Sequence, residues 1–173
     1  MNNQYFERIM ASLPMYFQFT AESNRCLGVA QNNQGSVIGP GAPLQLGYVT
    51  DPKVQLAWDY ETTFGFIILD FSMFGGQKLA VDFADGKVAT DTYLQLRPFT
   101  GVPSQRWSLL IRPGYITSLA NTTLVIDDHF NSTQADNPIW AHTYNGTTAQ
   151  QWTPKPLNEF LTAVKPQSKA QYA

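Results

Sequence analysis

At 173 residues the chain has the length of one domain able to bury a sizeable core, while only 14 % of its residues are charged and its net charge is −2. Lys and Arg are scattered singly, which excludes the concentrated basic surface that nucleic acid requires. No apolar run approaches the roughly 18 residues of a membrane span, and the single Cys26 excludes an intrachain disulfide. The N-terminus has neither the basic region nor the long apolar run of a signal peptide, so the expected location is the cytoplasm, or outside the cell by a route without a recognisable signal.

In chain order, Tyr5–Leu13 reads as a short helix, with Tyr5, Ile9 and Leu13 at i, i+4 and i+8 and Phe6 and Met10 alongside. That stripe could cap a barrel end, pair with another copy or touch a membrane, and capping is the reading preferred. Strand-like segments follow at Met15–Thr20, Phe64–Phe71, Lys78–Phe83, Tyr93–Leu96, Trp107–Ile111 and Leu124–Ile126, and Cys26-Leu27 begins another apolar run. Between them stand turn-forming groups: Asn32-Asn33-Gln34-Gly35, Gly39-Pro40-Gly41, Gly75-Gly76, Asp85-Gly86, Pro113-Gly114 and Asn145-Gly146. Many short strands with closely spaced turns describe an all-β barrel or sandwich. After Trp152 the prolines Pro154, Pro156 and Pro166 mark an extension, with one helical turn expected around Asn158–Val164.

Trp58, Trp107 and Trp152 lie at intervals of 49 (107 − 58) and 45 (152 − 107) residues, the last two within Gln105-Arg106-Trp107 and Gln150-Gln151-Trp152. A repeat of this period means units that cannot bury their apolar faces alone and must stack on their copies. Aligning Trp107 on Trp152 places Gln95-Leu96-Arg97 over Trp140-Ala141-His142 and Asp82 over Asp127. An acid ending a short apolar strand at the same place twice is notable in a chain with 13 acidic residues. The first unit, from Arg25 through Gln45-Leu46-Gly47 to Trp58, is longer and carries Gly28 at the aspartate position and Leu56 in place of the glutamine.

The segments Cys26-Leu27-Gly28-Val29, Ala80-Val81-Asp82-Phe83, Gln95-Leu96-Arg97 and above all Asn145-Gly146-Thr147-Thr148-Ala149-Gln150-Gln151-Trp152 resemble the ricin B-type β-trefoil lectins, a family also found as carbohydrate-binding modules on glycosidases. The resemblance covers roughly Met15 to Pro154. It implies an all-β β-trefoil: a six-stranded barrel closed by three hairpins, in three pseudo-symmetric four-stranded repeats at about 15–63, 64–111 and 112–154. These would form a single domain over 1–173 with short N- and C-terminal extensions, the latter over 155–173. It also implies that the tryptophans of the repeat serve the shared core.

A neutral sugar offers adjacent hydroxyls and a weakly apolar C–H face. A carboxylate can accept two hydroxyl protons, a flat ring can stack on the face, and an amide can serve a remaining hydroxyl. In lectins similar to this chain the repeat aspartate is the carboxylate, the third residue of Gln-Leu-Trp stacks, a polar residue three positions on hydrogen-bonds, and the glutamine before the tryptophan helps anchor the aspartate region. The resemblance therefore implies Asp127, His142, Asn145 and Gln150 in the third repeat, with Trp140 a candidate to take over the stacking. In the second repeat it implies Asp82, Gln95, Arg97 and Gln105, with Thr100 at the asparagine position. Arg97 either stacks or hydrogen-bonds to sugar, or pairs with Asp82 and closes the pocket. The plain structural alternative for both aspartates is capping of a turn.

The expectation is a non-catalytic lectin for galactose- or N-acetylgalactosamine-type glycans and glycoproteins, with its main site in the third repeat and no metal or cofactor. Avidity would come from two sites or from a homodimer. An enzyme is disfavoured: His129 and His142 are the only histidines, and Asp127-Asp128-His129 on a strand cannot aim its neighbours at one metal. An Asp127–His142 acid–base pair is conceivable, but sugar binding explains the same residues with less. The rival reading is a β-trefoil protein-interaction module, such as a protease inhibitor or toxin-associated subunit, whose sugar sites have decayed.

Overall fold

The computed structural model describes residues 12–30, 38–50, 54–55, 57–69 and 78–158. Among these residues the short apolar runs form thirteen strands: β1 (Ser12–Phe19), β2 (Arg25–Ala30), β3 (Gln45–Tyr48), β4 (Val54–Gln55), β5 (Trp58–Glu61), β6 (Phe66–Leu69), β7 (Leu79–Phe83), β8 (Thr92–Pro98), β9 (Trp107–Ser108), β10 (Thr117–Ser118), β11 (Leu124–Asp128), β12 (Ile139–Thr143) and β13 (Trp152–Pro156). Apart from β4, a two-residue partner of β2, they fall into three sets of four: β1, β2, β3, β5; then β6–β9; then β10–β13.

The outer strands of each set make the barrel. β1 pairs antiparallel with both β5 and β13, β5 with β6, and β9 with β10. A bridge between Phe66 and Arg106 ties β6 to the start of β9, and Trp152 N–H donates to the Gly114 carbonyl ahead of β10. The inner strands form the hairpins β2–β3, β7–β8 and β11–β12. These three meet in a triangle: β8 pairs with β12, Pro43 bridges to Gln95, and Gln45 bridges to Pro138. Among the described residues, these pairings and bridges partly cover the hairpin edges, which limits the ladder they could offer another chain. This architecture is a β-trefoil.

The tryptophans of the repeat are wholly inside, Trp58, Trp107 and Trp152 together with Phe17, Phe19, Phe83, Leu27 and Leu94. Each indole N–H donates to a backbone carbonyl: Trp58 to Leu27, Trp107 to Val81, Trp152 to Ile126. A buried indole must find such an acceptor, and here the need fixes each barrel strand against its own hairpin. Phe83 stacks on Trp107 (5.4 Å, 16°) and Phe19 leans on Trp152 (5.2 Å). Gly65, at φ +78°, passes so close to the Trp107 carbonyl that a Cβ there would collide with backbone.

Two expectations need correction. Leu13 lies in β1, its backbone paired with Tyr60, rather than at the end of a helix; Pro14 follows it, and a residue before proline is driven into extended backbone. The strand expected over Trp107–Ile111 stops after two residues, because the Ser108 hydroxyl accepts from the N–H groups of Leu110 and Ile111 and turns the chain. The rest of the Tyr5–Leu13 stripe, the Asn32–Gly35 and Gly75-Gly76 turns and most of Asn158–Val164 fall outside the described residues, as does Leu56.

Candidate functional site

The indole bonds settle the register between repeats. Each accepting carbonyl belongs to the residue just before Gly28, Asp82 or Asp127, so these three occupy one position of the threefold pattern. Left-handed residues repeat at the same 45-residue offset: Asp85 and Phe130, Gly86 and Asn131, Asp91 and Asp136, Gly101 and Gly146. The glutamines follow it too. Gln105 Oε1 accepts from Thr100 and Gly101 N–H, and its Nε2 donates to the Pro98 carbonyl; Gln150 Oε1 accepts from Asn145 and Gly146 N–H, and its Nε2 donates to Thr143.

Gln105 and Gln150 are therefore fully engaged with backbone and buried, and neither presents an atom to a ligand. They hold the turn that carries Thr100 or Asn145, and this corrects the expectation that they anchor the aspartate region. The physical cause is the left-handed glycine, which aims two successive N–H groups at one carbonyl oxygen.

In the third repeat, Asp127 sits across β11–β12 from Trp140 and is almost wholly buried. Its Oδ1 accepts the Trp140 indole N–H at 2.6 Å. Trp140 lies parallel to His142 (5.1 Å, 12°), two residues on along the same face of β12. His142 Nδ1 donates to Asp91 Oδ1 at 2.6 Å, which assigns the ring proton to Nδ1 because a carboxylate only accepts. Asp91 comes from the second repeat, and beside it the Thr90 hydroxyl accepts from Thr143 N–H. Asn145 Oδ1 accepts from the N–H and hydroxyl of Thr147, which leaves its NH2 as the remaining donor. Asp127, Trp140, His142 and Asn145 are thus brought together around a shallow depression of about 330 Å³, with Phe130 and Asn131 on its rim.

Asp128 points the other way, into the core, where the second repeat has Phe83 and the first Val29. Its Oδ1 accepts from Asn137 Nδ2 at 2.7 Å, and the Ser132 backbone N–H lies near enough to favour the charged form as well. Burial pushes this carboxyl up to about 7; the Asn137 bond opposes the rise and the neighbouring Asp127 charge adds to it.

The second repeat is built alike and filled differently. Asp82 Oδ1 accepts from Phe83 N–H, and Arg97 Nη1 lies 3.6 Å from Asp82 Oδ2. The guanidinium covers Gly86, so closely that a Cβ on that residue would strike it. Of the two roles open to Arg97, the structure shows pairing with Asp82. Gln95 is the cross-strand partner of Asp82, and Thr100 takes its place in the Gln105 turn without a second role at the aspartate. In the first repeat Cys26 is buried and its thiol is pushed by burial to about 12, which makes it inert.

Sequence reasoning missed Phe130, Asn131 and the Thr90-Asp91 pair. The first two carry a signal in the 45-residue register, which lays Phe130-Asn131 over the turn dipeptide Asp85-Gly86. Asp91 lies 51 residues before its partner His142, and only the hairpin triangle brings them together.

No protein-family model matches the chain, and no curated protein matches it by sequence. Solved structures do match in fold. The C-terminal half of an earthworm R-type lectin, seen in complex with GalNAc, is similar at a TM-score of 0.60 and 16 % identity over 83 % of this chain and 98 % of that one. A designed threefold-symmetric protein, ThreeFoil, is similar at 0.62 and 18 %, over 82 % of this chain and 96 % of that one. A mosquitocidal holotoxin is similar at 0.65 and 10 %, over 86 % of this chain but 18 % of the toxin.

Proposed function

We propose that the chain is a non-catalytic carbohydrate-binding protein whose main site is the depression in the third repeat. The observation that carries the reading is Asp127: a buried carboxylate with one oxygen held by the Trp140 indole and the other unpaired, at the floor of an open pocket edged by rings and an amide donor. Such an oxygen suits a pair of sugar hydroxyls, and charged acceptors make the stronger hydrogen bonds. Asn145 serves a further hydroxyl through its NH2, and Gln150 keeps that asparagine in place. Galactose- or N-acetylgalactosamine-type glycans are the expected class, in line with the GalNAc complex of the structurally similar earthworm lectin. The second repeat contributes little, since Arg97 already occupies the partner position of Asp82.

The test is a glycan array probed with the wild-type chain and with Asp127→Asn, which keeps an acceptor for the indole. Binding lost only in that variant supports the reading; a wild type that retains no glycan overturns it. One observation favours the rival protein-interaction reading. An apolar groove of about 600 Å³, away from Asp127, is lined by Met15, Tyr60, Leu109, Leu110 and Leu157, with Leu110 88 % exposed. Among the described residues its lining holds no carboxylate, with Asn158 the one amide, so a chain that binds no glycan directs attention there.

A further inference from the structure

We infer that Phe130, rather than His142 or Trp140, supplies the ring on which the bound sugar stacks; the inference rests on the carbohydrate reading of the same site. The two rings at the expected positions are already committed. Trp140 and His142 stack on each other, the Trp140 N–H is spent on Asp127, and His142 is tied to Asp91. Trp140 is further packed edge-to-face with His129 (4.3 Å, 88°).

Phe130 packs against His129, with ring centroids 3.9 Å apart, but its ring makes no hydrogen bond and leaves most of its surface open. It stands on the rim of the depression that Asp127 floors, 5.8 Å from Trp140 between ring centroids, yet 81 % of it is exposed. An apolar ring left this open gains little from the fold. Its backbone is also unfavourable: φ is +59°, a conformation that bulky residues rarely adopt and that the second repeat fills with Asp85. A large side chain held where a small polar one would sit better, contributing little burial, is what a ligand contact requires and what a structural role does not explain. The ring lines the same depression as the Asp127 carboxylate, which matches a ligand with hydroxyls on one side and C–H groups on another.

The experiment compares wild type with Phe130→Asn, Phe130→Tyr and Asp127→Asn, by calorimetric titration with N-acetylgalactosamine and with lactose and by thermal unfolding. Asparagine suits the left-handed backbone, so Phe130→Asn should keep or raise the Tm while weakening binding about tenfold, the scale of one lost stacking contact. Phe130→Tyr should retain binding. If Asp127→Asn abolishes binding but Phe130→Asn does not weaken it, this inference fails and the carbohydrate reading stands. A lowered Tm with unchanged affinity would mark Phe130 as structural. If the wild type binds neither sugar, nor any glycan of the array, both readings fall together.

Discussion

The second and third repeats share a frame and diverge at its rim. Trp107 and Trp152, Gln105 and Gln150, and the left-handed glycines Gly101 and Gly146 perform the same tasks with the same partners. The aspartates are equally alike in position, yet Asp82 is covered by Arg97 while Asp127 opens on a depression walled by Trp140 and His142. What decides the fate of the carboxylate is its neighbour across the hairpin and two residues on: Gln95 and Arg97 in one case, Trp140 and His142 in the other. The two repeats differ on the hairpin surface while the barrel stays the same.

The comparison is tested most strongly at the core position where the repeats differ, Phe83 against Asp128. The Asp128 carboxyl is raised from 3.8 to about 7 in the fold, so its contribution to stability is full below about pH 4 and is lost as pH rises toward 7. Wild type should therefore be less stable at pH 8 than at pH 4 on this account, by on the order of 4 kcal/mol at the limit. Asp128→Asn should flatten that dependence in denaturant unfolding at the two pH values. A wild type unaffected by pH over this range would mean that the third core tolerates charge as readily as phenyl.

Next in size is the contrast between the aspartates. Asp127→Asn should weaken glycan binding about 100-fold, equivalent to about 2.7 kcal/mol, whereas Asp82→Asn should leave the titration unchanged. Equal losses would restore the second repeat as a site. The glutamines should behave oppositely to the aspartates in symmetry: Gln105→Ala and Gln150→Ala should each cost about 2 kcal/mol in chemical unfolding, because each strands the same backbone donors. Only Gln150→Ala should also reduce binding, by releasing Asn145. The smallest effect belongs to Arg97→Ala. The pair is 3.6 Å apart, Arg97 is partly exposed, and the buried Asp82 keeps its bond from Phe83 N–H and gains water once the guanidinium is gone, so the loss should be less than about 1 kcal/mol and thermal unfolding should barely register it.

The legible part of this molecule was whatever repeats. Tryptophan spacing, the Gln-x-Trp contexts and the shared aspartates were enough to lay one repeat on the other, and the indole bonds to Val81 and Ile126 follow that same register. What stayed hidden depends on contacts between repeats or on backbone sign. No local pattern shows that Asp91 reaches His142, that Phe130 takes a positive φ, or which way Arg97 will turn. That the Gln150 amide is fully used by the backbone of Asn145, Gly146 and Thr143 is visible only once the turn at Asn145-Gly146 is folded.

The wall that Thr90 and Asp91 lend to the third site makes that site a property of a junction. Three identical copies of the third repeat joined in tandem would close the same triangle and keep an acid at the reaching position, since Asp136 shares the left-handed backbone of Asp91. They would set Ala135 and Pro138 where Thr90 and Tyr93 now stand, and so lose the hydroxyl that holds Thr143 and the phenol beside Trp140. Transplanting the site into another scaffold therefore means carrying two discontinuous stretches of chain together, one from each side of the seam.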